Sequence, residues 1–367
     1  MESNVMRILW INANPNPNPG GTELHSIDFI NAIEKYYPEL ELYKAVAKGS
    51  FVDKNTSDKN KYYITLKSEF SPLNTLKLIK LAKKLKPDFV IGNNGNEYIN
   101  TFLAGKLSKS KVILFRHMLN YLPFFNKKFI LPKVDKVFAV SQASKRRLLK
   151  DGIPEEKITV LPNFIDEDKF YYDPVQKENI RRQLNINPQD KVITFIGKTD
   201  AGKGIFDYVE ACRILNETFK NLKFLIIGYG KDFDKAVEKF KEYGLYDKLI
   251  TTGKTDQPHL YLKASDVVMV LSRNEESFGR TVVEGFSVKS LVVVYDVENL
   301  KYLVEDFKTG IVAKNGNVEE VVQKVKKVLT EDKLYDEITN NAYKEFLENY
   351  TKSKILDKFV SQLKSLM

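Results

Sequence analysis

The sequence predicts an α/β protein of two domains, each built around a parallel sheet. Three observations carry this. Short apolar runs alternate with longer amphipathic stretches along most of the chain, the rhythm of βαβ units rather than of hairpins. Several apolar runs end in Gly or Asn just before a helical stretch, where open parallel sheets place their ligands. Finally, 367 residues are enough for two hydrophobic cores.

Taken in order, the first half is expected to hold strands over 7–12, 88–92, 111–115, 136–140 and 159–162. The second half is expected to hold strands over 192–197, 223–228, 249–253, 267–271 and 291–295. Helices are expected over 22–35, 73–85, 142–150, 204–218 and 318–329, where apolar residues recur at helical spacing. The Asn-Pro triplet at 14–19 is a non-helical loop leading into Gly20-Gly21. Between 165 and 190 the rhythm breaks at Asp166-Glu167-Asp168, at the turn Tyr171-Tyr172-Asp173-Pro174 and at Asn187-Pro188, so the join is placed there. Residues 331–367 read as helices with no strand after them. The expected domains are 1–170 and 171–345, with 346–367 as a terminal helix crossing back to the first domain.

Composition narrows the function classes. Hydrophobic residues make up 43% and charged residues 29%, as in a globular protein rather than a disordered one. No apolar run approaches the length of a membrane span. The run over 5–13 contains Arg7 and ends in Asn and Pro, unlike a secretory signal. Cys212 is the only cysteine, so no intrachain disulfide forms and a cytoplasmic setting is expected. Three histidines far apart and one cysteine make no metal-ligand cluster. The net charge is +10, yet residues 51–150 alone carry 21 Lys/Arg against 6 Asp/Glu, an excess of 15. That concentration points to an anionic partner for the first half.

Four motifs carry chemistry. Gly20-Gly21-Thr22-Glu23 follows the first strand and opens a helix, so free N–H groups face whatever approaches. Gly197-Lys198-Thr199-Asp200-Ala201-Gly202-Lys203-Gly204 follows the first strand of the second half and offers two lysines beside a turn, suited to a diphosphate leaving group. It is not a Walker loop, because Gly204 stands where Ser or Thr would follow the lysine. His117 follows Arg116 at the end of an apolar strand, a setting for chemistry that His25 and His259 lack. Lastly, Glu276 and Glu284 lie eight residues apart across Gly279. A helix starting near Gly279 would separate them by about 5–8 Å along its axis, so that two acceptor-only groups could hold different hydroxyls of one long ligand.

In their order these motifs resemble the retaining glycosyltransferases of family four, with the two-domain GT-B fold. Further matches are Lys86-Pro87-Asp88, Val140-Ser141, Ile153-Pro154, Leu161-Pro162-Asn163 and Ile227-Gly228-Tyr229-Gly230. The resemblance implies two Rossmann-like domains facing a cleft. It implies that Glu276 binds donor-sugar hydroxyls, with the N–H groups of Phe278 and Gly279 near sugar or phosphate, and that Glu284 holds the ribose. Lys203 and Lys198 would stabilise the departing diphosphate, with Gly197 at the same turn. His117 would lie near the reacting sugar, and Gly20 and Gly21 would close the phosphate side. His117, Glu276 and Lys203 are thus the catalytic candidates. No cofactor or metal is implied beyond the co-substrate, a UDP-, GDP- or ADP-linked sugar, and the transfer is of the hexosyltransferase type. Three departures stand out. Lys198 replaces the usual Arg, Ser277 the more frequent Gly, and Lys289-Ser290-Leu291 the usual Gly-x-Pro run.

The family's acceptor, a glycan or lipid-linked molecule of cell-surface polysaccharide or glycoconjugate synthesis, would meet the basic first half. Lys80 and Lys84 lie in an alternating basic and apolar stretch, and Phe124, Phe125, Lys127 and Lys128 follow His117 closely. Aromatics among lysines suit an anionic bilayer surface, which would make the enzyme peripheral on the inner face of the membrane. Nucleic acid is not expected, because no recognition motif accompanies the charge. A hydrolysing nucleotide-sugar epimerase and a non-catalytic nucleotide-binding protein are the alternatives on the same fold.

Overall fold

The computed structural model describes residues 5–18, 20–69 and 71–367. Among them, strands form two sheets in which every pairing is parallel. The first sheet contains β1 (Arg7–Asn12), β2 (Glu41–Val46), β3 (Lys61–Tyr63), β4 (Phe89–Gly92), β5 (Lys111–Arg116), β6 (Lys136–Ala139) and β7 (Ile158–Val160). The second contains β8 (Lys191–Ile196), β9 (Leu222–Ile227), β10 (Leu249–Gly253), β11 (Val267–Val270), β12 (Leu291–Tyr295) and β13 (Ile311–Ala313). Their orders are β3-β2-β1-β4-β5-β6-β7 and β10-β9-β8-β11-β12-β13. Both reverse direction beside their first strand, the doubly wound Rossmann arrangement. The reversal falls between β1 and β4 in one sheet and between β8 and β11 in the other.

Helices cover both faces of such a sheet, so its central strands read as continuous apolar runs. Ile8, Leu9, Trp10 and Ile11 of β1 and all of β12 are fully buried. Three strands, β2, β3 and β13, lie outside the sequence expectation. In β2 the apolar run is broken by Lys44, whose ammonium is buried against Glu34 and Ser57. The strands β3 and β13 hold only three residues each.

The chain forms two compact units, Met1–Asn163 with Ser353–Met367, and Phe164–Lys352. The segment 165–190, expected to be the join, lies inside the second unit. It forms the helix Pro174–Gln183, capped by the Asp173 side chain on the N–H groups of Val175 and Gln176. At the other end of the chain, the helix Lys352–Leu366 returns to the first unit. Its Phe359 is fully buried among Trp10, Phe29, Phe115 and Phe138.

Candidate functional site

In the second unit the site grows from the ends of β8 and β11, at the reversal point. After β8 the chain turns through the short 3-10 helix Ala201–Lys203 and into the helix Ile205–Thr218. Gly204 joins them with φ +80°, and a Cβ there would lie 1.9 Å from the Leu271 carbonyl oxygen. Only glycine permits that approach. It seats the turn against the loop after β11, where Arg273 N–H donates to Gly202 O at 3.0 Å. Lys203 Nζ then forms an ion pair with Glu276. Lys198, exposed like Lys203, pairs with Asp200 at 2.9 Å. The Lys198 hydrogen bond holds the Asp200 carboxyl below its usual range.

The helix Arg280–Ser287 begins as the sequence spacing predicts, with Gly279 at its N-cap in the left-handed region, φ +83°. Here a Cβ would press on Leu300 at 2.9 Å. Phe278 is buried, and Asn299 Nδ2 donates to its carbonyl at 2.6 Å. Glu284, one turn into the helix, is buried and accepts from Arg280 Nε at 3.0 Å. Below the site, Asp207 accepts from Arg273 Nε at 2.7 Å, Arg273 Nη2 at 2.6 Å and Tyr295 Oη at 3.0 Å. That fixes the loop after β11 to the helix after β8.

In the first unit the corresponding reversal point brings together the loops after β1, β4 and β5. The helix Gly21–Tyr36 starts directly after Gly20, whose backbone is extended. Asn93, fully buried after β4, donates from Nδ2 to the Thr22 carbonyl at 2.8 Å. Its Oδ1 lies 3.0 Å from Nε2 of His117. The His117 ring stacks on Phe115 and meets His25 edge-on, with ring centres 4.5 Å apart. Burial, and then the charge of Arg116, push the His117 pKa down to about 3, so the imidazole is neutral at working pH. Glu97 ties the loop after β1 in place by accepting from the N–H groups of Ala13 and Asn94. Despite those donors, burial pushes its carboxyl up to about 8. Beside His117 a cavity of about 310 Å³ is lined by Asn94, Arg116, Asn120 and Tyr121 among others.

The expected acceptor face resolves into core and surface. On the helix Pro72–Leu85, Leu78, Ile79 and Ala82 are buried, while Lys80 and Lys84 are exposed together with Leu73 and Leu76. After His117, Leu122, Ile130 and Leu131 go to the core, whereas Tyr121, Phe124, Phe125 and Phe129 are exposed. Lys128 lies over the rings of Phe124 and Phe129. Lys127 faces Asp151 at 3.5 Å.

The structure therefore joins Lys203 to Glu276, and His117 to the start of the Gly20-Gly21 helix through Asn93. Sequence reasoning missed Asn93, Glu97 and His25. His25 lies four residues before Phe29 on one helix, so helical spacing placed it on the buried face and was the available signal. Asn93 and Glu97 sit in a run of Asn and Gly that reads as an ordinary turn. Among the described residues no group of three or more His, Cys, Asp or Glu side chains could hold a metal ion. Likewise no helix among them is long and apolar enough to cross a membrane.

Comparison with known proteins adds to this geometry. Residues 176–345 match the family model described as "Glycosyl transferases group 1", and residues 19–169 match "Glycosyltransferase Family 4". A trehalose synthase of Thermococcus litoralis is 25% identical over 232 residues, 59% of this chain and 55% of its own length. A lipopolysaccharide 1,2-N-acetylglucosaminetransferase of Salmonella typhimurium is 24% identical over 249 residues, 64% of each chain. The chain thus spans less than two thirds of these relatives. Among solved structures, a Rickettsia africae glycosyltransferase superposes with a TM-score of 0.85 at 22% identity, covering 99% of both chains. Anabaena HepE in complex with UDP superposes with a TM-score of 0.84 at 18% identity, covering 98% of this chain and 100% of its own. At these identities the likeness is one of GT-B fold.

Proposed function

The chain belongs to the group 1, family 4 glycosyltransferases, and from that premise we propose that it transfers a hexose from a nucleotide-diphosphate sugar with retention and without a metal. The observation that carries this reading is the Lys203–Glu276 pair at the reversal point of the second sheet. A cation and a carboxylate held there suit the two ends of the bond to be broken. On donor binding the Lys203 ammonium turns to the diphosphate and the Glu276 carboxylate accepts from sugar hydroxyls. The bond from the anomeric carbon to the diphosphate oxygen breaks. The acceptor hydroxyl oxygen bonds to that carbon on the same face, and its proton leaves with the diphosphate. Glu284 takes the ribose hydroxyls, the Phe278 and Gly279 N–H groups face the donor, and Gly197 and Lys198 border the diphosphate. In this reading His117 serves the reacting sugar and the Gly20-Gly21 loop serves the phosphates. HepE complexes with UDP and with UDP-glucose support a uridine donor among the candidates.

The acceptor in this reading is a glycan or a lipid-linked molecule of cell-surface synthesis. The exposed Phe124, Phe125 and Phe129 with Lys128, and the exposed Lys80 and Lys84, support a peripheral site on an anionic membrane. Sedimentation with vesicles containing phosphatidylglycerol checks it. Binding that falls with salt and is lost on Phe124→Ser with Phe125→Ser is expected, and no binding at low salt removes the membrane.

The function is tested by thermal shift against UDP, GDP, ADP and CMP, followed by turnover of the matching sugar nucleotides. One diphosphate should raise the melting temperature with concentration, and Lys203→Ala and Glu284→Ala should abolish the rise. No response to any of the four overturns the reading. Release of a free sugar isomer without an acceptor points to the epimerase instead.

A further inference from the structure

The protonation pattern of His117 follows from a chain of obligatory hydrogen-bond roles that begins just after β4. Asn93 is fully buried, and its backbone N–H is already bound to Ile11 O at 3.3 Å. Its side-chain amide lies between the Thr22 carbonyl and the His117 ring. A backbone carbonyl only accepts, so the end of the amide at Thr22 must be Nδ2. The reversed amide would set two acceptor oxygens against each other at 2.8 Å, losing a buried hydrogen bond and adding repulsion. The end facing His117 is therefore Oδ1, which also only accepts. Nε2 of His117, 3.0 Å away, must carry the hydrogen. In a neutral ring the lone pair is then on Nδ1.

We infer that Asn93 is a positioning residue that locks His117 as the neutral Nε2–H tautomer, so that the imidazole meets the sugar as a fixed acceptor through Nδ1. This role at the reacting sugar rests on the glycosyltransferase reading, whereas the tautomer itself does not. The surroundings agree with a neutral ring. The groups against it are the Phe115 ring, the His25 ring and the Arg116 guanidinium. Arg116 disfavours an imidazolium. A ring held in this way does not shuttle protons. It offers one lone pair in one direction, set by an amide that is itself pinned to the first turn of the helix Gly21–Tyr36. The helix Gly21–Tyr36 and the histidine after β5 thus share one support just after β4.

The test is made first on the unaltered chain. Long-range proton–nitrogen NMR of ¹⁵N-histidine-labelled protein, with His117→Gln to assign the ring, reads the tautomer directly. A pyrrole-type Nε2 and a pyridine-type Nδ1, unchanged between pH 6 and 8, are expected. An Nδ1–H tautomer, or imidazolium shifts in that range, overturns the inference. Asn93→Asp then puts a carboxylate opposite Nε2, which stabilises the imidazolium, so a His117 titration should enter the accessible range and turnover should acquire a matching pH dependence. In Asn93→Ala both tautomers should appear, and kcat should fall roughly tenfold to a hundredfold with little change in donor KM. A pH-independent, single-tautomer ring in Asn93→Ala would show that something else sets the tautomer. If the tautomer is as inferred but no sugar nucleotide is turned over, the glycosyltransferase reading fails and the role of Asn93 in fixing the ring stands.

Discussion

A Cβ at position 204 would lie 1.9 Å from the Leu271 carbonyl oxygen, on a backbone with φ +80°, whereas the Lys203 side chain beside it is 45% exposed. Two adjacent residues of one motif therefore answer to different physics. Gly204→Ala must push two loops apart or distort both, and should cost roughly 2–5 kcal/mol. Lys203→Ala removes an exposed ion pair and should change stability by less than about 1 kcal/mol. Thermal melts of the two variants check this, and a Gly204→Ala protein as stable as the parent would refute the packing argument. In the sequence both residues read as one phosphate-turn signal, and that signal could not separate the packing glycine from the chemical lysine. Asn93 was less legible still, because its importance lies in partners 71 and 24 residues away. Local spacing contains no trace of such partners. Glu276 and Glu284 were legible because Gly279 fixes the helix start between them.

Among the elements, most strands that the sequence revealed are buried runs, with the three-residue β7 and the partly exposed β10 as exceptions, and of those it hid β2 is interrupted by charge while β3 and β13 hold three residues each. The helix Pro174–Gln183 was hidden for another reason. Its turn-forming flanks look like a linker, while its anchors, Lys177 and Arg181, meet Asp266 far along the chain. Asp266 also accepts from the Val192 N–H at 2.8 Å, at the start of β8, so one carboxylate holds the helix to the sheet. Burial resists its ionisation, but the Lys177 and Arg181 cations prevail and hold its pKa below the usual carboxylate value. A carboxyl depressed by folding gives stability that is present above its unfolded value, about 3.9. That stability is lost as pH falls through the lower folded value. The parent protein should therefore lose melting temperature as pH falls below about 3.9. Asp266→Asn should start lower by roughly 3–5 kcal/mol, since the buried Arg181 and the half-buried Lys177 lose their partner, and should have a flatter acid limb. Parallel acid limbs in the two proteins would show that the Asp266 network does not anchor this helix.

At the scale of the whole chain, the expectation that the last helix crosses back to the first domain came from the family resemblance and not from the helix's own pattern. The pattern of 352–366 says that one face is buried, and periodicity alone never names the covering surface. The structure gives that face to the first unit, where Ile355, Leu356, Phe359, Val360 and Leu363 are all buried. Burying each such side chain contributes about 1.5–3 kcal/mol, so together they rival the net stability of a typical domain, about 5–15 kcal/mol. The first unit is therefore incomplete until the end of the chain returns to it, however well 1–163 can form its sheet. The only tryptophan, Trp10, is fully buried beside Phe359, with ring centres 6.3 Å apart, and so reports on this unit alone. A chain ending at Lys352 should show red-shifted tryptophan emission, while circular dichroism keeps the cooperative melt of the second unit. Phe359→Ala should retain a blue-shifted emission but unfold more readily, by roughly 3–5 kcal/mol. If the shortened chain keeps the parent's emission and melts as the parent does, the terminal helix lies on a finished domain and contributes only cover. If the emission shifts and adding a peptide of residues 353–367 restores it, the helix is a structural part of the first unit supplied from the far end of the chain.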